Sequence, residues 1–250
     1  MSFPVIVRGA HVVGSFPRCW HRCNDLSMQQ SMIRIWALRL IALLCATLIC
    51  APSANALELT PQLLDQVQAQ FSPETRSRFE RWQQLLNSPS SLPENRKLLL
   101  VNSFFNQVKY MNDIDHWKVD DYWATPFELL TSGAGDCEDY SIAKYFTLRQ
   151  MGVPEEKLRI TYVKALKLNQ AHMVLAYYPT PDAEPLILDN LANQILPASQ
   201  RQDLYPVYSF NGDGLWLSKQ RGAGKRVGDS SKLNQWSLMN ERFLKQLNGE

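Results

Sequence analysis

The stretch that decides the fold runs from Gly133 to Gly152 and reads GAGDCEDYSIAKYFTLRQMG. Its glycines before Asp136 allow a sharp turn, Asp136 is a good N-cap, and Asp139 three residues later can complete a capping box. Good helix formers and aromatics follow, and the terminal glycine predicts where this helix ends. Cys137 therefore lies in the first turn, where free N–H groups and the helix dipole favour a thiolate. The sequence thus makes Cys137 a candidate nucleophile.

Residues 1–56 have the pattern of an upstream extension followed by a secretory signal peptide. Two arginines precede an apolar run over residues 40–51, and Ala54-Asn55-Ala56 fits the small-x-small cleavage pattern. The run is short for a membrane span, which makes retention as an uncleaved anchor the weaker alternative. We therefore predict export, cleavage after Ala56, and a single domain over residues 57–250 without membrane insertion.

Removal of this prefix changes the inventory of reactive side chains. Residues 57–250 keep one cysteine, Cys137, and two histidines, His116 and His172. Exported proteins usually pair their cysteines or lack them, so a lone thiol is either buried and inert or kept for its chemistry. The prefix also holds five of the 26 basic and one of the 24 acidic residues, so 21 basic and 23 acidic residues remain. This near-neutral balance gives no support for nucleic-acid binding.

The predicted elements come in the order helices, strands, helix. Helical periodicity predicts helices that begin at Thr60-Pro61, Ser72-Pro73 and Pro93, the third reaching Met111, and a last helix over residues 233–247. Their apolar stripes, which include Phe71 and Leu247, are expected in the core. Residues 113–123 indicate a loop, and strands are predicted over residues 158–166, 172–178, 186–188, 207–210 and 215–217. We therefore predict an α+β fold with N-terminal helices followed by an antiparallel sheet.

A cysteine nucleophile needs a base, and the base needs a group that orients it. His172 begins a predicted strand and Asp189 ends the next one, so a hairpin would bring both side chains to one sheet edge. Cys137, His172 and Asp189 therefore form a workable triad. His116, in a polar loop, is the alternative base, and Asn190 is the alternative orienting residue. If these residues form no triad, His172 is an ordinary histidine at the end of a strand, and Asp189 forms the turn before Asn190.

Three motifs resemble a known family. They are Gly135-Asp136-Cys137-Glu138-Asp139-Tyr140, Ala171-His172-Met173-Val174-Leu175 and Leu188-Asp189-Asn190. They look like those of the bacterial transglutaminase-like cysteine proteinases, in particular the LapG-type periplasmic proteases, and the resemblance extends over nearly all of residues 57–250. It implies a periplasmic cysteine protease domain over residues 57–250, with a papain-like or transglutaminase-like core, Cys137 at a helix N-terminus and a Cys137–His172–Asp189 triad.

The resemblance also implies a substrate and a regulator. The substrate would be the N-terminal region of a large surface adhesin, cut at a di-alanine site so that the adhesin leaves the cell and the biofilm disperses. The regulator would be a LapD-type inner-membrane receptor that senses cytoplasmic cyclic-di-GMP and holds the protease inactive.

Three acidic residues, Asp136, Glu138 and Asp139, lie within one helical turn of Cys137. Like charges at this range raise the pKa of a thiol and oppose the helix dipole. A bound Ca²⁺ would offset them, because it prefers clustered carboxylate oxygens, although simple capping by acids explains the same residues equally well. The resemblance favours calcium, because such proteases are calcium-dependent, and it implies Asp136 and Glu138 as ligands, with Asp139 as a further one.

Two other functions remain open at this point. The same triad could transfer an acyl group to an amine, as a transglutaminase does. Alternatively, the protein could be a non-catalytic calcium-binding module that presents its site to a receptor. The resemblance favours the endopeptidase.

Overall fold

The computed structural model describes residues 57–217 and 224–248. The predicted signal peptide and its cleavage after Ala56 lie outside these residues, and the single domain over residues 57–250 stays a prediction. The helices are α1 (Pro61–Gln70), α2 (Pro73–Leu86), α3 (Glu94–Phe105), α4 (Asp113–His116), α5 (Pro126–Ser132), α6 (Cys137–Gln150) and α7 (Asn234–Asn248). The strands are β1 (Lys109–Tyr110), β2 (Ala134–Gly135), β3 (Leu158–Ala165), β4 (Gln170–Tyr177), β5 (Leu186–Leu188), β6 (Leu196–Pro197), β7 (Leu204–Phe210), β8 (Leu215–Leu217) and β9 (Lys225–Gly228).

Seven of the strands form one antiparallel sheet in the order β6-β5-β4-β3-β7-β8-β9. Strands β3 to β6 run as a meander, and β7 then pairs with the other side of β3 before β8 and β9 continue outward. Strands β1 and β2 form a separate parallel pair. The predicted α+β class, with N-terminal helices followed by an antiparallel sheet, is confirmed.

Short polar side chains fix where the first helices begin. The Thr60 hydroxyl accepts the Leu63 N–H at 3.2 Å, and the Ser72 hydroxyl accepts the Thr75 N–H at 3.1 Å. Proline follows each cap, where its missing N–H costs no hydrogen bond. Both helices therefore begin where the sequence predicts.

Helix α6 is the central element of the core. It packs against β3 and β4 on one side and against α3 and α5 on the other. Ile142, Ala143, Tyr145 and Leu148 are completely buried. A helix enclosed on nearly every side has little freedom to shift, so α6 holds its first residue, Cys137, in a fixed place.

The predicted elements differ from the observed ones mainly at their ends. Helix α3 ends at Phe105 rather than at Met111, because the chain turns at Asn106 and forms β1. Residues 113–123 contain the short helix α4, and the sequence pattern does not predict β1, β2, β6 or β9. Phe71, the residue after α1, and Leu247, in the last turn of α7, are 55% and 37% exposed, so these ends of the apolar stripes lie at the surface.

Membrane-spanning helices are not found among the described residues, where no helix combines the length and the apolar character that a bilayer crossing requires.

Candidate active site

Gly133 and Gly135 shape the turn through which the chain enters α6. Gly133 ends α5 in the left-handed conformation, with φ of 73°, and the next two residues form β2 beside β1. A Cβ at Gly135 would lie 2.5 Å from Asp139 Oδ2, so only glycine allows this close approach. Asp136 then takes the N-cap position, and Cys137 is the first helical residue, as predicted.

Asp139 holds the start of the helix in place. Its side chain is completely buried, and its two oxygens accept the Ala124 N–H at 2.7 Å and the Asp136 N–H at 3.2 Å. The second bond is the Asp139 half of the predicted capping box. Asp139 therefore ties the segment before α5 to the N-cap of α6.

The surroundings of Cys137 favour the thiol. Its S–H group donates to Glu138 Oε2 at 2.9 Å. Burial raises the pKa of Cys137 well above its ordinary value, the charges of Glu138 and Asp136 raise it further, and a hydrogen bond from the Met173 backbone N–H works in the opposite direction. Burial and the acids therefore oppose the thiolate that the helix position favours, and a positive charge near the acids would reduce this opposition.

The acids near Cys137 belong to a larger group than the sequence indicates. Oxygens of Asp113, Asp121 and Glu138 lie within 4.8 Å of one another, and so do oxygens of Asp113, Asp136 and Asp139. We call these five residues the acid cluster. In the described part of the chain, no lysine, arginine or histidine forms an ion pair with any of them. Sequence reasoning misses Asp113 and Asp121 because they lie in the segment read as a loop.

The acid cluster has the properties of a site for a cation with oxygen ligands. Asp113 Oδ1 and Asp136 Oδ1 are buried, and neither accepts a hydrogen bond from any described residue. Burial and neighbouring carboxylates raise the pKa of Asp113 to about 7 and that of Asp136 to about 8. These residues fit Ca²⁺, which binds six to eight oxygens. Asp139 is the least free of the predicted ligands, because both of its oxygens already accept backbone N–H groups.

His172 and Asp189 meet as the sequence predicts. Strand β5 pairs with β4, and His172 Nε2 lies 2.8 Å from Asp189 Oδ1, with both side chains buried. The Leu191 N–H donates to the same oxygen at 2.9 Å. Because Asp189 occupies Nε2, Nδ1 is the nitrogen of His172 that is left to accept a proton.

A second partner of Asp189 was not predicted. Arg201 Nη2 donates to Asp189 Oδ2 at 2.7 Å, and Arg201 itself is 6% exposed. Burial alone would raise the pKa of Asp189, but hydrogen bonds from His172, the Leu191 N–H and Arg201 outweigh it and lower this pKa to about 2. Asp189 is therefore a carboxylate throughout the physiological range. Only tertiary structure brings Arg201 here, so no local sequence pattern indicates it.

Cys137 and His172 are not hydrogen-bonded to one another. Within the described residues no hydrogen bond joins them, and the contact of Cys137 with this strand is the N–H of Met173, the residue after His172. The sequence-predicted triad is thus present as a joined His172–Asp189 pair and a separate thiol that donates to Glu138.

His116, the alternative base, and Asn190, the alternative orienting residue, have surroundings that differ from those of the His172–Asp189 pair. His116 packs edge-on against Trp117 at 4.3 Å between ring centroids, and burial lowers its pKa. Asn190 Oδ1 is buried and accepts no hydrogen bond from the described residues. The orienting position on His172 is thus taken by Asp189.

The fold and the site define a transglutaminase-like cysteine proteinase. The sequence profile of the bacterial transglutaminase-like cysteine proteinases (BTLCP) matches residues 76–218, and the chain belongs to this family.

Among solved structures, the chain is similar to LapG of Legionella pneumophila. An EGTA-treated LapG structure is 49% identical, with a TM-score of 0.64 over 72% of this chain and 96% of that one. A calcium-bound LapG structure is 48% identical, with a TM-score of 0.63 over 73% and 98%. A comparison with curated proteins gave no match.

Proposed function

We propose that the protein is a calcium-dependent periplasmic cysteine endopeptidase with Cys137, His172 and Asp189 as its catalytic triad. The observation that carries this proposal is the buried His172–Asp189 pair, with 2.8 Å between His172 Nε2 and Asp189 Oδ1. Met173, the residue after His172, contacts Cys137, the one thiol of the described residues, at the N-terminus of α6. Membership of the proteinase family and 49% identity to LapG over nearly the whole of that chain support the reaction class.

The chemistry follows from the roles that these groups can take. His172 Nδ1 accepts the proton of Cys137, and the resulting thiolate attacks the scissile carbonyl. The backbone N–H of Cys137, at the start of a helix, helps to hold the oxyanion. His172 then returns the proton to the leaving amine, and water hydrolyses the thioester.

Calcium is proposed to bind at the acid cluster, with Asp136, Glu138 and Asp113 as the principal ligands. Asp139 and Asp121, which make other hydrogen bonds, complete the set. Bound Ca²⁺ would supply the positive charge that these carboxylates lack. The Glu138 oxygen that now accepts the thiol proton would then become a ligand, which leaves His172 as the acceptor for Cys137. The calcium-bound state of the similar LapG structure supports calcium as the cation.

The proposed substrate is the N-terminal region of a large surface adhesin, cut at a di-alanine site so that the adhesin is released and the biofilm disperses. The proposed regulator is a LapD-type inner-membrane receptor that responds to cyclic-di-GMP and sequesters the protease. Both proposals rest on the likeness to LapG, and they require a periplasmic location.

Cleavage of a purified N-terminal adhesin fragment tests the proposed function. The wild-type protein, Cys137→Ala and His172→Ala are compared on the fragment and on a second fragment in which the di-alanine is replaced by two valines. We expect cleavage by the wild type alone and only of the first fragment. Cleavage by Cys137→Ala would exclude the triad, and transfer of an added amine to the new carboxyl end would make the protein an acyltransferase.

A separate binding experiment tests the regulator. The periplasmic domain of a LapD-type receptor is titrated into the cleavage assay, and Cys137→Ala is used to measure binding without turnover. We expect inhibition at the concentrations at which Cys137→Ala binds the receptor. Binding without inhibition would leave the protease but remove this mode of control.

A further inference from the structure

A chain of alternating basic and acidic side chains, buried except at its Asp203 end, continues behind the triad. His172 Nε2 is 2.8 Å from Asp189 Oδ1, and Asp189 Oδ2 is 2.7 Å from Arg201 Nη2. Arg201 in turn forms two bonds to Asp203, from Nε to Oδ1 at 3.0 Å and from Nη2 to Oδ2 at 2.9 Å. We call His172, Asp189, Arg201 and Asp203 the alternating chain.

Both oxygens of Asp189 are fixed by this arrangement. One oxygen accepts from His172 and from the Leu191 N–H, and the other accepts from Arg201. A carboxylate held at both oxygens cannot rotate, so it fixes the plane of the imidazole that it contacts. Without Arg201, one oxygen of a completely buried carboxylate would lack its partner.

Asp203 makes this arrangement compatible with catalysis. It balances the charge of Arg201, so the charge of Asp189 remains available to stabilise an imidazolium at His172. The backbone carbonyl of Asp203 also accepts the Leu166 N–H at 2.7 Å, which anchors this end of the chain just after β3. Lys144 of α6 is also buried near this chain; burial lowers its pKa to about 7, and the charge of Asp189 opposes that shift.

We propose that Arg201 is a positioning residue of the protease, which acts through Asp189 to hold the His172 ring in its productive orientation, with Asp203 as the anchor of the arginine. A guanidinium is suited to this role because its planar fork can bridge two carboxylates at once, whereas a lysine is a point charge. Since this role presupposes the proposed function, its test includes a measurement that does not need activity.

The first measurement is the ring ¹⁵N–¹H spectrum of His172, assigned with His172→Gln, in calcium-saturated protein. We compare the wild type, Arg201→Gln and Arg149→Gln, because Arg149 also forms an ion pair, with Glu155 at 2.6 Å, outside the alternating chain. We expect one sharp ring signal in the wild type and in Arg149→Gln, and a broadened or doubled signal in Arg201→Gln. An unchanged signal in Arg201→Gln, or equal loss in both variants, would overturn the positioning role.

The second measurement is the kinetics of cleavage. We expect Arg201→Gln to lower kcat by about 10²-fold, which is the cost of misplacing a catalytic group, with KM within about twofold. Arg201→Lys should lose nearly as much, and Arg201→Gln should cost nothing further in an Asp189→Asn background. Full activity of Arg201→Lys, or an additive loss in the double variant, would contradict action through Asp189.

A gentler variant covers the case in which Arg201→Gln does not fold. Asp203→Asn alters the partly exposed end of the alternating chain, and we expect the same spectral broadening with a smaller loss of kcat. An unaltered His172 spectrum in Asp203→Asn would overturn the role of Asp203 as anchor. Absence of Cys137-dependent cleavage by the wild type, with the spectral effects intact, would instead reject the proposed function and leave the positioning of His172 by Arg201 in place.

Discussion

Asp136 is partly buried and Asp189 is buried, and their pKa values move in opposite directions. In the acid cluster, burial and neighbouring carboxylates raise the pKa of Asp136 to about 8. In the alternating chain, hydrogen bonds from His172, the Leu191 N–H and Arg201 outweigh burial and lower the pKa of Asp189 to about 2. The partners of a buried carboxylate, more than its burial, therefore decide its charge.

The two regions differ in what they still need. The alternating chain has a partner for each charge, whereas the acid cluster has five carboxylates and no cationic side chain paired with them in the described part of the protein. Both regions reach Cys137, since its thiol donates to Glu138 and contacts the strand that carries His172. The reactivity of Cys137 therefore depends on how the acid cluster is neutralised.

The largest expected effect comes from breaking the alternating chain at its centre. Asp189→Asn should lower kcat on the order of 10³–10⁴-fold, because the amide favours the wrong imidazole tautomer and does not stabilise imidazolium. Steady-state cleavage kinetics measure this loss, with Asp229→Asn, in an exposed ion pair, as the control. Calcium affinity should remain unchanged, and a large drop in it would mean that the two regions are not separate.

Removal of calcium should have the next largest effect. A calcium-selective chelator should lower kcat/KM near pH 7 by about 10²-fold, because the thiolate population falls tenfold for each unit by which the thiol pKa rises. Added CaCl₂ should restore the rate, whereas MgCl₂ should not. Cleavage that is insensitive to the chelator would leave the acids as helix caps only.

Asp113→Asn sharpens the assignment of the acid cluster. We expect calcium affinity to fall by about tenfold or more, as for loss of other metal-site residues, and the calcium-free variant to melt at a higher temperature because one repulsive charge is gone. Asp115→Asn is the matched control, since Asp115 is exposed on the same short helix. If calorimetric titration gives the same calcium affinity for the two variants, Asp113 is not a calcium ligand.

The smallest expected effect is a pH dependence of stability. The acid cluster binds protons more tightly when folded than when unfolded, so the calcium-free protein should lose free energy of unfolding from about pH 4 up to the folded pKa values of about 7 for Asp113 and about 8 for Asp136. The pH dependence that Asp189 contributes has the opposite sign, because its pKa is lowered in the folded protein. Its contribution to stability is lost only as pH falls toward about 2. Melting temperatures between about pH 5 and about pH 6.5, below the pKa of about 7 to which burial lowers Lys144, should therefore fall without calcium and stay level with it. A level profile in both would contradict the raised pKa values.

The sequence predicts those parts of the site that local chemistry determines. An N-cap aspartate, an acid three residues later and a terminal glycine suffice to place Cys137 at a helix start, and all three lie within one short segment. His172 and Asp189 are 17 residues apart on adjacent strands, so a simple hairpin brings them together. The structure places both features where the sequence predicts.

The remaining parts depend on contacts between distant segments. Asp113 and Asp121 reach the acid cluster because β1 pairs with β2, and the helical periodicity that extends α3 to Met111 conceals β1. Arg201 reaches Asp189 through the connection between β6 and β7. Periodicity also identifies the apolar stripe of α1 without indicating that Phe71, the residue after this helix, is exposed.

The most direct test of the link between the two regions is the alkylation rate of Cys137 as a function of pH, read by peptide mass spectrometry with calcium and with a chelator. If the acid cluster controls the thiol, calcium should shift the midpoint of the profile down by about one pH unit or more. The same profile in both conditions would contradict that control and separate the acid cluster from the reactivity of Cys137.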